Sequence, residues 1–350
     1  MSIEAPRPLK QEQIEATDEI TEVAPGILRT MLPIDFTGLG HVNMYVLEDE
    51  RGVAVVDPGL PNKECWVAIK QRLKNIGVPM RRVHSIIVTH SHPDHFGGAE
   101  RIRDKSGADV VAHRLFRSWW NPDEPGDLDP EELALYSARP REHVPWGGPD
   151  MEIPWKRRFP MNIIRPPHRM VPMPTPSIRL REHDTIKFAR REWFAIHTPG
   201  HTEDHLCLFD PEEGVLITGD HVLPTITPHV PGLSASDDPL SMFYASLDKV
   251  GQLGQQVKVA LPAHGNPFHD ISKRTEEIKE HHDERLQRLR DASSTLNKPA
   301  SVMEFATYLF SPRAQGPMAH SETYAHLEHL RLRGEFECRD NNGILEYVLS

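Results

Sequence analysis

The segment Thr89–His95 concentrates the residues of this chain that are best suited to metal chemistry. It reads Thr-His-Ser-His-Pro-Asp-His and places three histidines and one aspartate within six positions. Imidazole and carboxylate groups are ligands that divalent transition metals prefer. His90 and His92, two positions apart on an extended turn, can converge on one ion. Asp94 and His95 point away from that ion and can bind a second one. The pattern therefore predicts a metal site in this segment.

Other residues with the same chemistry also follow short apolar runs typical of strands. They are Asp57, His201, Asp220 and His264. Because each of them ends such a run, as His90 does after Val83–Val88, all can rise from one edge of a sheet into one cleft. A glycine stands beside His201, Asp220 and His264, where it permits a tight turn and a close backbone approach.

Composition limits the class of protein. The chain has 350 residues, of which 38% are hydrophobic and 26% charged, as expected of a globular protein with one large α/β domain and a small appendage, or of two modest domains. The net charge of −11 argues against a general nucleic-acid binder. The three cysteines are too far apart to predict a disulfide framework. Without an apolar N-terminal segment or a run of about 18 apolar residues, we expect no membrane anchor and a cytoplasmic location.

The order of predicted elements divides the chain into three parts. Residues 1–20 are predicted to form a loosely held N-terminal arm. Residues 21–269 alternate strands and helices, which is α/β organisation. Within them, an insertion at about 117–180 interrupts the pattern, because residues 121–180 hold 13 of the 32 prolines. Such an insertion acts as a lid, a substrate wall or a homodimer contact, or is a decoration without a part in the chemistry.

Charge separates the insertion into two halves. Residues 151–191 carry ten basic and three acidic residues, with Arg157 and Arg158 among the bases. An anionic small-molecule substrate would find basic partners in this stretch. Arg157 and Arg158 are therefore predicted substrate contacts.

The region 270–350 is predicted to contain a long helix from Ile271, two short helices and a β-hairpin turning at Asn341–Gly343. This is winged-helix order, which suggests DNA binding. Residues 300–350, however, hold four bases and seven acids, so a phosphate-binding face is not supported, and a packing or dimerisation module is favoured. His281 and His282, placed in the long helix among charged residues, are expected to be solvated.

These motifs resemble the metallo-β-lactamase superfamily of binuclear metallohydrolases over roughly residues 23–270, with five separated motifs in the family's order. The resemblance implies an α/β fold, the αββα sandwich of that family, here with a small helical winged-helix-like C-terminal domain. It also implies that seven residues hold two divalent ions: His90, His92 and His201 the first, Asp94, His95 and His264 the second, and Asp220 both. Zinc suits five imidazoles and two carboxylates, although iron and manganese also fit such sites.

The resemblance further implies a hydrolytic reaction by a hydroxide that bridges the metals, oriented by Asp94, which also carries its proton. Asp57 would orient a ligand imidazole. His205 is either a similar partner or a packing histidine, and His229 and Tyr244 are candidate substrate contacts. Cys207 is predicted to be a buried small apolar residue and not a nucleophile.

The bond that is cleaved stays open at this level. A bridging aspartate resembles glyoxalase II and lactonases more than β-lactamases, and the C-terminal region resembles the appendage of a glyoxalase II-related subgroup. A carboxylic ester or thioester is therefore the leading prediction. A lactone of the acyl-homoserine type is the alternative, ahead of a β-lactam or of a non-catalytic metal-binding regulator.

Overall fold

We analysed a computed structural model of the chain, which describes residues 8–36, 38–117, 130, 133, 144–147 and 173–350. Within these ranges the first sheet has seven strands in chain order. They are β1 (Ile20–Ala24), β2 (Ile27–Phe36), β3 (Leu39–Glu48), β4 (Val53–Val56), β5 (Val83–Ile87), β6 (Asp109–His113) and β7 (Ile178–Leu180). The first four pair antiparallel, and β4 to β7 pair parallel.

The second sheet has five strands in the order β12-β11-β10-β9-β8. They are β8 (Thr185–Phe188), β9 (Arg191–His197), β10 (Leu206–Asp210), β11 (Val215–Gly219) and β12 (Val259–Pro262). Neighbours are antiparallel except β11 and β12, which run parallel. As a result β9, β11 and β12 point their carboxyl ends toward the same edge.

The helices cover the outer faces of the two sheets. They are α1 (Lys63–Asn75), α2 (Pro93–Phe96), α3 (Ala99–Ser106), α4 (Pro239–Gly251), α5 (Ile271–Leu296), α6 (Val302–Leu309) and α7 (Pro317–Leu332). Ile69 of α1 packs on the outer face of the first sheet, and Phe243 of α4 packs on the outer face of the second. Tyr45 and Trp193 meet in the core between the sheets. These layers form the predicted αββα sandwich.

The strand sequences explain why the sheets are central. All four residues of Val53–Val56 are buried, because a parallel strand covered on both faces must be apolar on both. Helix α1 begins at the Asn62 cap, whose side chain accepts a hydrogen bond from the Cys65 amide. The helix ends before Gly77, as its periodicity predicts.

The C-terminal region has the predicted order of helices followed by a hairpin. A short strand, β13 (Ala300–Ser301), joins β14 (Phe336–Asn341) and β15 (Ile344–Leu349) in a three-stranded sheet of order β13-β15-β14. Asn342 and Gly343 form the hairpin turn, both with positive φ. The winged-helix assignment and the domain boundaries at 20 and 269 stay predictions.

Two expectations about local structure are wrong. Residues 8–18 are not loosely held, because Glu12 is fully buried and its carboxylate accepts a hydrogen bond of 2.7 Å from the Thr225 amide. His282 is also fully buried, since helix α7 packs on the side of α5 that the charge pattern suggested would face solvent. His281, beside it, is partly exposed.

Most of the insertion falls outside the described residues. Its described segment 144–147 packs on the C-terminal region: Trp146 contacts the ring of Tyr324, and the Pro145 carbonyl accepts from the Leu345 amide at 2.7 Å. Among the helices in the described part of the chain, none has the length and apolar character needed to cross a bilayer.

Candidate metal centre

The predicted metal ligands meet at the edge where the strands of both sheets end. His90 follows β5, Asp220 follows β11 and His264 follows β12. The two sheets are joined at this edge by backbone bonds, among them the bond of 2.8 Å from the Leu206 amide to the Thr89 carbonyl. The topology thus brings together residues separated by up to 174 positions along the chain, from His90 to His264.

The first group consists of His90, His92, His201 and Asp220, whose ligand atoms converge on one point. Nδ1 of His92 lies 2.9 Å from Nε2 of His90 and 3.1 Å from Nε2 of His201. Oδ2 of Asp220 lies 3.6 Å from His201 and 3.9 Å from His90. Ligands of a tetrahedral zinc ion at about 2.05 Å stand about 3.3 Å apart, so these spacings fit such an ion.

The second group consists of Asp94, His95 and His264. Oδ2 of Asp94 lies 3.5 Å from Nε2 of His95 and 3.6 Å from Nε2 of His264. Helix α2 places Asp94 and His95 here, beginning with Pro93 at its first turn.

Asp220 faces both groups. Its Oδ2 lies 3.4 Å from Nε2 of His95, and its Oδ1 lies 3.3 Å from Nε2 of His264. Gly219 allows the chain to bring the Asp220 carboxylate to this position. Its φ is +51°, and a Cβ there would stand 2.6 Å from Nε2 of His205, so a residue with a side chain would not fit. The carboxylate therefore sits where it can serve two ions.

Three buried ligand atoms have no hydrogen-bond partner: Nε2 of His95, Nε2 of His264 and Oδ1 of Asp220. Buried polar atoms normally have hydrogen-bond partners, and a bound ion is one of the standard explanations where they do not. The residues present therefore fit a metal ion.

The protonation of the two groups differs. Burial lowers the pKa of His90 well below its ordinary value, and burial together with the neighbouring His201 lowers the pKa of His92 to about 3. Neutral imidazoles can take a metal without losing a proton. Burial also disfavours the charged form of His95, but Asp94 and Asp220 outweigh it and raise the pKa of His95 well above the ordinary value. These carboxylates stabilise a positive charge on the His95 ring, and a bound cation would supply the same positive charge.

Asp57 has the supporting position that the sequence predicted. Its Oδ2 accepts from Nδ1 of His95 at 2.9 Å and from the Thr89 hydroxyl at 2.8 Å, and its Oδ1 accepts from the Thr89 amide at 2.9 Å. The Thr89 hydroxyl is in turn 3.1 Å from Nδ1 of His90. One carboxylate thus orients two ligand imidazoles, and the Nε2 atoms of both face Asp220.

His205 also supports the site. Burial lowers its pKa well below the ordinary value, so the ring is neutral. Its Nε2 accepts from the Asp220 amide at 3.1 Å, and its Nδ1 donates to the Thr198 hydroxyl at 2.7 Å. His205 thus contacts the backbone of Asp220, and its role as the partner of a metal ligand stays a prediction.

Sequence reasoning missed two groups that hold ligand imidazoles. Nδ1 of His264 donates to the His41 carbonyl at 2.6 Å, and Nδ1 of His201 donates to the His229 carbonyl at 2.7 Å. Backbone carbonyls carry no sequence signal, so neither contact could be predicted from residue types.

The side chains of the predicted substrate contacts do not converge on the centre as the predicted metal ligands do. Arg157 and Arg158 lie outside the described residues. The Tyr244 hydroxyl donates to Asp283 of α5 at 2.6 Å, and the His229 ring faces Glu322 of α7. These two side chains are therefore engaged with the C-terminal region.

Two described arginines of the basic stretch, Arg179 and Arg191, have partners other than the predicted metal ligands. Arg179 donates to the backbone carbonyls of Arg114 and Phe116. Arg191 forms an ion pair of 2.5 Å with Asp210, at the end of β9 and β10 opposite to the metal ligands. Arg157 and Arg158, the predicted substrate contacts of this basic stretch, stay predictions.

Comparison with known proteins agrees with this geometry. A family model described as the metallo-beta-lactamase superfamily matches residues 37–264. The chain is 23% identical over 312 residues to the probable metallo-hydrolase YqjP of Bacillus subtilis, covering 87% of this chain and 92% of that protein.

Two further relatives are named thioesterases. The chain is 29% identical over 258 residues to the atrochrysone carboxyl ACP thioesterase of Passalora fulva, covering 72% of this chain and 57% of that protein. It is 28% identical over 185 residues to the acyl-coenzyme A thioesterase MBLAC2 of Gallus gallus, covering 52% and 56%. The match thus spans little more than half of either thioesterase.

Solved structures share the fold over nearly the whole chain. A metallo-beta-lactamase family protein of Thermus thermophilus is 28% identical with a TM-score of 0.71, covering 94% of this chain and all of its own. A beta-lactamase domain protein of Burkholderia ambifaria is 26% identical with a TM-score of 0.74, covering 96% of each chain. The similarity therefore extends beyond residue 264 into the C-terminal region.

Proposed function

Because the chain belongs to the metallo-β-lactamase superfamily, we propose that it is a two-metal hydrolase of carboxylic thioesters or esters, with an acyl thioester as the leading substrate class. The observation that carries this proposal is the Asp220 carboxylate, whose two oxygens face two separate ligand groups. A carboxylate in this position is the feature that resembles glyoxalase II. The two relatives named thioesterases support the same bond class.

We infer that the first group would hold one zinc ion, the second group another, and Asp220 both. Bound there, two divalent ions lower the pKa of a shared water and polarise the carbonyl of the substrate. The chain's own residues keep the site dry and ordered, since His90, His95 and His264 are fully buried. A site of this kind strengthens every electrostatic interaction within it.

Asp94 is the residue proposed to handle the proton. Burial raises the pKa of its carboxyl, but the charges of His95 and His264 outweigh burial and bring the pKa to about 2, so the group is ionised at neutral pH. It can accept a hydrogen bond from the attacking water and orient it. As the water oxygen bonds to the carbonyl carbon, Asp94 takes one proton from that water. The C–S bond then breaks with its electron pair on sulfur, and Asp94 gives the same proton to the sulfur, so that a carboxylic acid and a free thiol leave.

Attack by the thiol of Cys207 has no support. Cys207 is fully buried in β10, and burial raises the pKa of its thiol to about 12. A thiol in this state is a poor nucleophile. Direct attack by water is therefore favoured over an acyl-enzyme on this residue.

Substrate assays on zinc-loaded protein test the proposal. We expect release of free thiol from acyl-coenzyme A thioesters, and a loss of kcat/KM of about 1000-fold in His92→Ala, since a metal ion supplies several kcal/mol to the transition state. His84→Ala is the matched control, because His84 is a partly buried histidine paired with Asp49 away from the centre.

The same assay also tests the competing substrate classes. Faster turnover of an N-acyl-homoserine lactone would favour the lactonase alternative, and faster turnover of a cephalosporin would favour a β-lactamase. Fully metallated protein that cleaves neither thioesters nor p-nitrophenyl esters would reject the proposal.

A further inference from the structure

The His201 imidazole is oriented by a segment that has no regular structure of its own. Nδ1 of His201 donates to the His229 carbonyl at 2.7 Å. This bond fixes the tautomer, so that Nε2 faces His92 and Asp220. His229 belongs to residues 224–238, called the His229 segment below, which connect Leu223 to helix α4. The position of a predicted metal ligand therefore depends on what holds this segment.

Helix α7 of the C-terminal region holds the segment at three points. The Gly232 amide donates to the Ser321 hydroxyl at 2.9 Å. Nδ1 of His229 lies 3.5 Å from Oε2 of Glu322. The Asp238 carboxylate faces Nδ1 of His329 at 3.0 Å. These contacts occur along about two turns of a single helix.

The contact at Gly232 is close enough to exclude a side chain. A Cβ at Gly232 would stand 2.4 Å from the Ser321 carbonyl oxygen and 2.6 Å from the ring of Tyr324. The backbone of the segment therefore rests directly on α7. Any movement of the helix at Ser321 would move the segment with it.

The side of α7 that meets the segment is polar and buried. Ser321, Glu322 and His329 are all less than 9% exposed. Buried polar groups are costly unless they are paired. Glu322 forms an ion pair with Arg285 of α5. A helix that buries this many polar groups toward one segment is built to hold that segment.

The cluster His282, Glu322 and His326 also contains potential metal ligands. Its ligand atoms are largely occupied: Arg285 and His229 take the two Glu322 oxygens, and Nδ1 of His282 donates to Nε2 of His326 at 3.0 Å. We therefore assign this cluster to support and not to metal binding.

We propose that Glu322 and Ser321 of α7 are positioning residues for the metal centre, acting through the His229 carbonyl on His201. This inference rests on the proposed metal centre. It gives the C-terminal region a function: it retains the metal at the first ligand group.

Cobalt binding to the full-length protein tests the proposal. The metal-free protein is titrated with Co²⁺ in competition with a chelator, and the d–d absorption spectrum is recorded. We expect Glu322→Gln to weaken binding of one equivalent by about tenfold and to change its spectrum, at the lower end of the range for outer partners of metal ligands. The second equivalent should be affected less.

Glu328→Gln is the matched control on the same helix. Glu328 is also a buried carboxylate, but it faces the Tyr347 hydroxyl at 2.6 Å and Arg331, within the C-terminal region. We expect this variant to lower the melting temperature and to leave cobalt affinity and spectrum unchanged. Equal loss of cobalt in both variants would show that metal retention follows global stability, and would overturn the proposal.

A second variant tests the same path without a change in charge. Gly232→Ala should displace the His229 segment from α7 and weaken the same equivalent of cobalt as Glu322→Gln does. If Glu322→Gln and Gly232→Ala both bind cobalt with the affinity and spectrum of wild type, the inference is overturned while the proposed function stands. Wild-type protein that binds no cobalt would instead reject the proposed metal centre, and this inference with it.

Discussion

The chain contains two buried clusters of histidine and carboxylate, and they are built in different ways. At the metal centre, Nε2 of His95, Nε2 of His264 and Oδ1 of Asp220 are buried without hydrogen-bond partners and face one another. In the C-terminal cluster, His326 uses both ring nitrogens: Nδ1 donates to the Glu322 carbonyl at 2.7 Å, and Nε2 accepts from His282.

The difference shows that residue type alone does not identify a metal site. Both clusters offer imidazoles and carboxylates within reach of one ion. In the C-terminal cluster an arginine, Arg285, already neutralises the carboxylate, and of the described hydrogen-bonding atoms only Nε2 of His282 lacks a partner. Three unpartnered ligand atoms that face one another distinguish the first cluster as one able to hold a metal ion, whereas the second cluster has one such atom.

The largest expected effect comes from Asp220, where the two ligand groups meet. Asp220→Asn removes the negative charge that both groups share. We expect metal content to fall from two equivalents to one or fewer, and kcat/KM to fall by about 1000-fold or more. Metal analysis and thioester assays measure both.

Asp210→Asn is the control for that variant. Asp210 is an equally buried carboxylate that pairs with Arg191 at the opposite end of the second sheet. It should lower stability without changing metal content. Two full equivalents of metal in Asp220→Asn would contradict the assignment of Asp220 as a carboxylate shared by two ions.

A smaller effect is expected at Asp57, which supports ligands without being one. Asp57→Asn weakens the hold on His95 and Thr89, so we expect a 10- to 100-fold loss of affinity at the second group, about the usual cost for such partners. Excess metal should restore most of the activity, which it would not do for Asp220→Asn.

Asp49→Asn serves as the comparison for Asp57. Asp49 pairs with His84 at 3.0 Å, almost the same spacing as the 2.9 Å between Asp57 and His95, but away from the centre. An unchanged metal affinity in Asp57→Asn, matching that of Asp49→Asn, would contradict the supporting function.

The metal centre could be predicted from the sequence because its residues stand in short motifs after apolar strands. His90, Asp220 and His264 each follow a run of buried residues, so the strand ends fix their approximate meeting point. The fold class follows from the same alternation of strands and helices. These are local patterns, which a single sequence displays directly.

The support from the C-terminal region could not be predicted in this way. His201 is held by a backbone carbonyl of His229, and Glu322 lies 93 positions further along the chain. Helix α7 has no clean apolar stripe, because its polar face meets a segment of backbone instead of solvent. The burial of His282 depends on that packing, and the charged residues around it in sequence indicated the opposite.

The smallest expected effect concerns the C-terminal cluster and appears as a pH dependence of stability. Burial lowers the pKa of His326 from 6.5 to about 4. Between these values the unfolded chain binds a proton that the folded protein does not, so stability falls as the pH drops from 6.5 toward 4, by up to about 3 kcal/mol. His326→Gln cannot take up that proton. Urea unfolding at pH 7.5 and pH 5 should therefore show a smaller acid loss in this variant than in wild type.

His183→Gln should lose as much stability on acidification as wild type, because the His183 side chain is 87% exposed. Metal release at low pH is common to all three proteins, so the difference between them isolates His326. The same acid loss in His326→Gln and wild type would show that His326 does not have to stay neutral in the fold. The C-terminal cluster would then tolerate an added positive charge, as the metal centre does. That result would contradict the proposed difference between the two clusters.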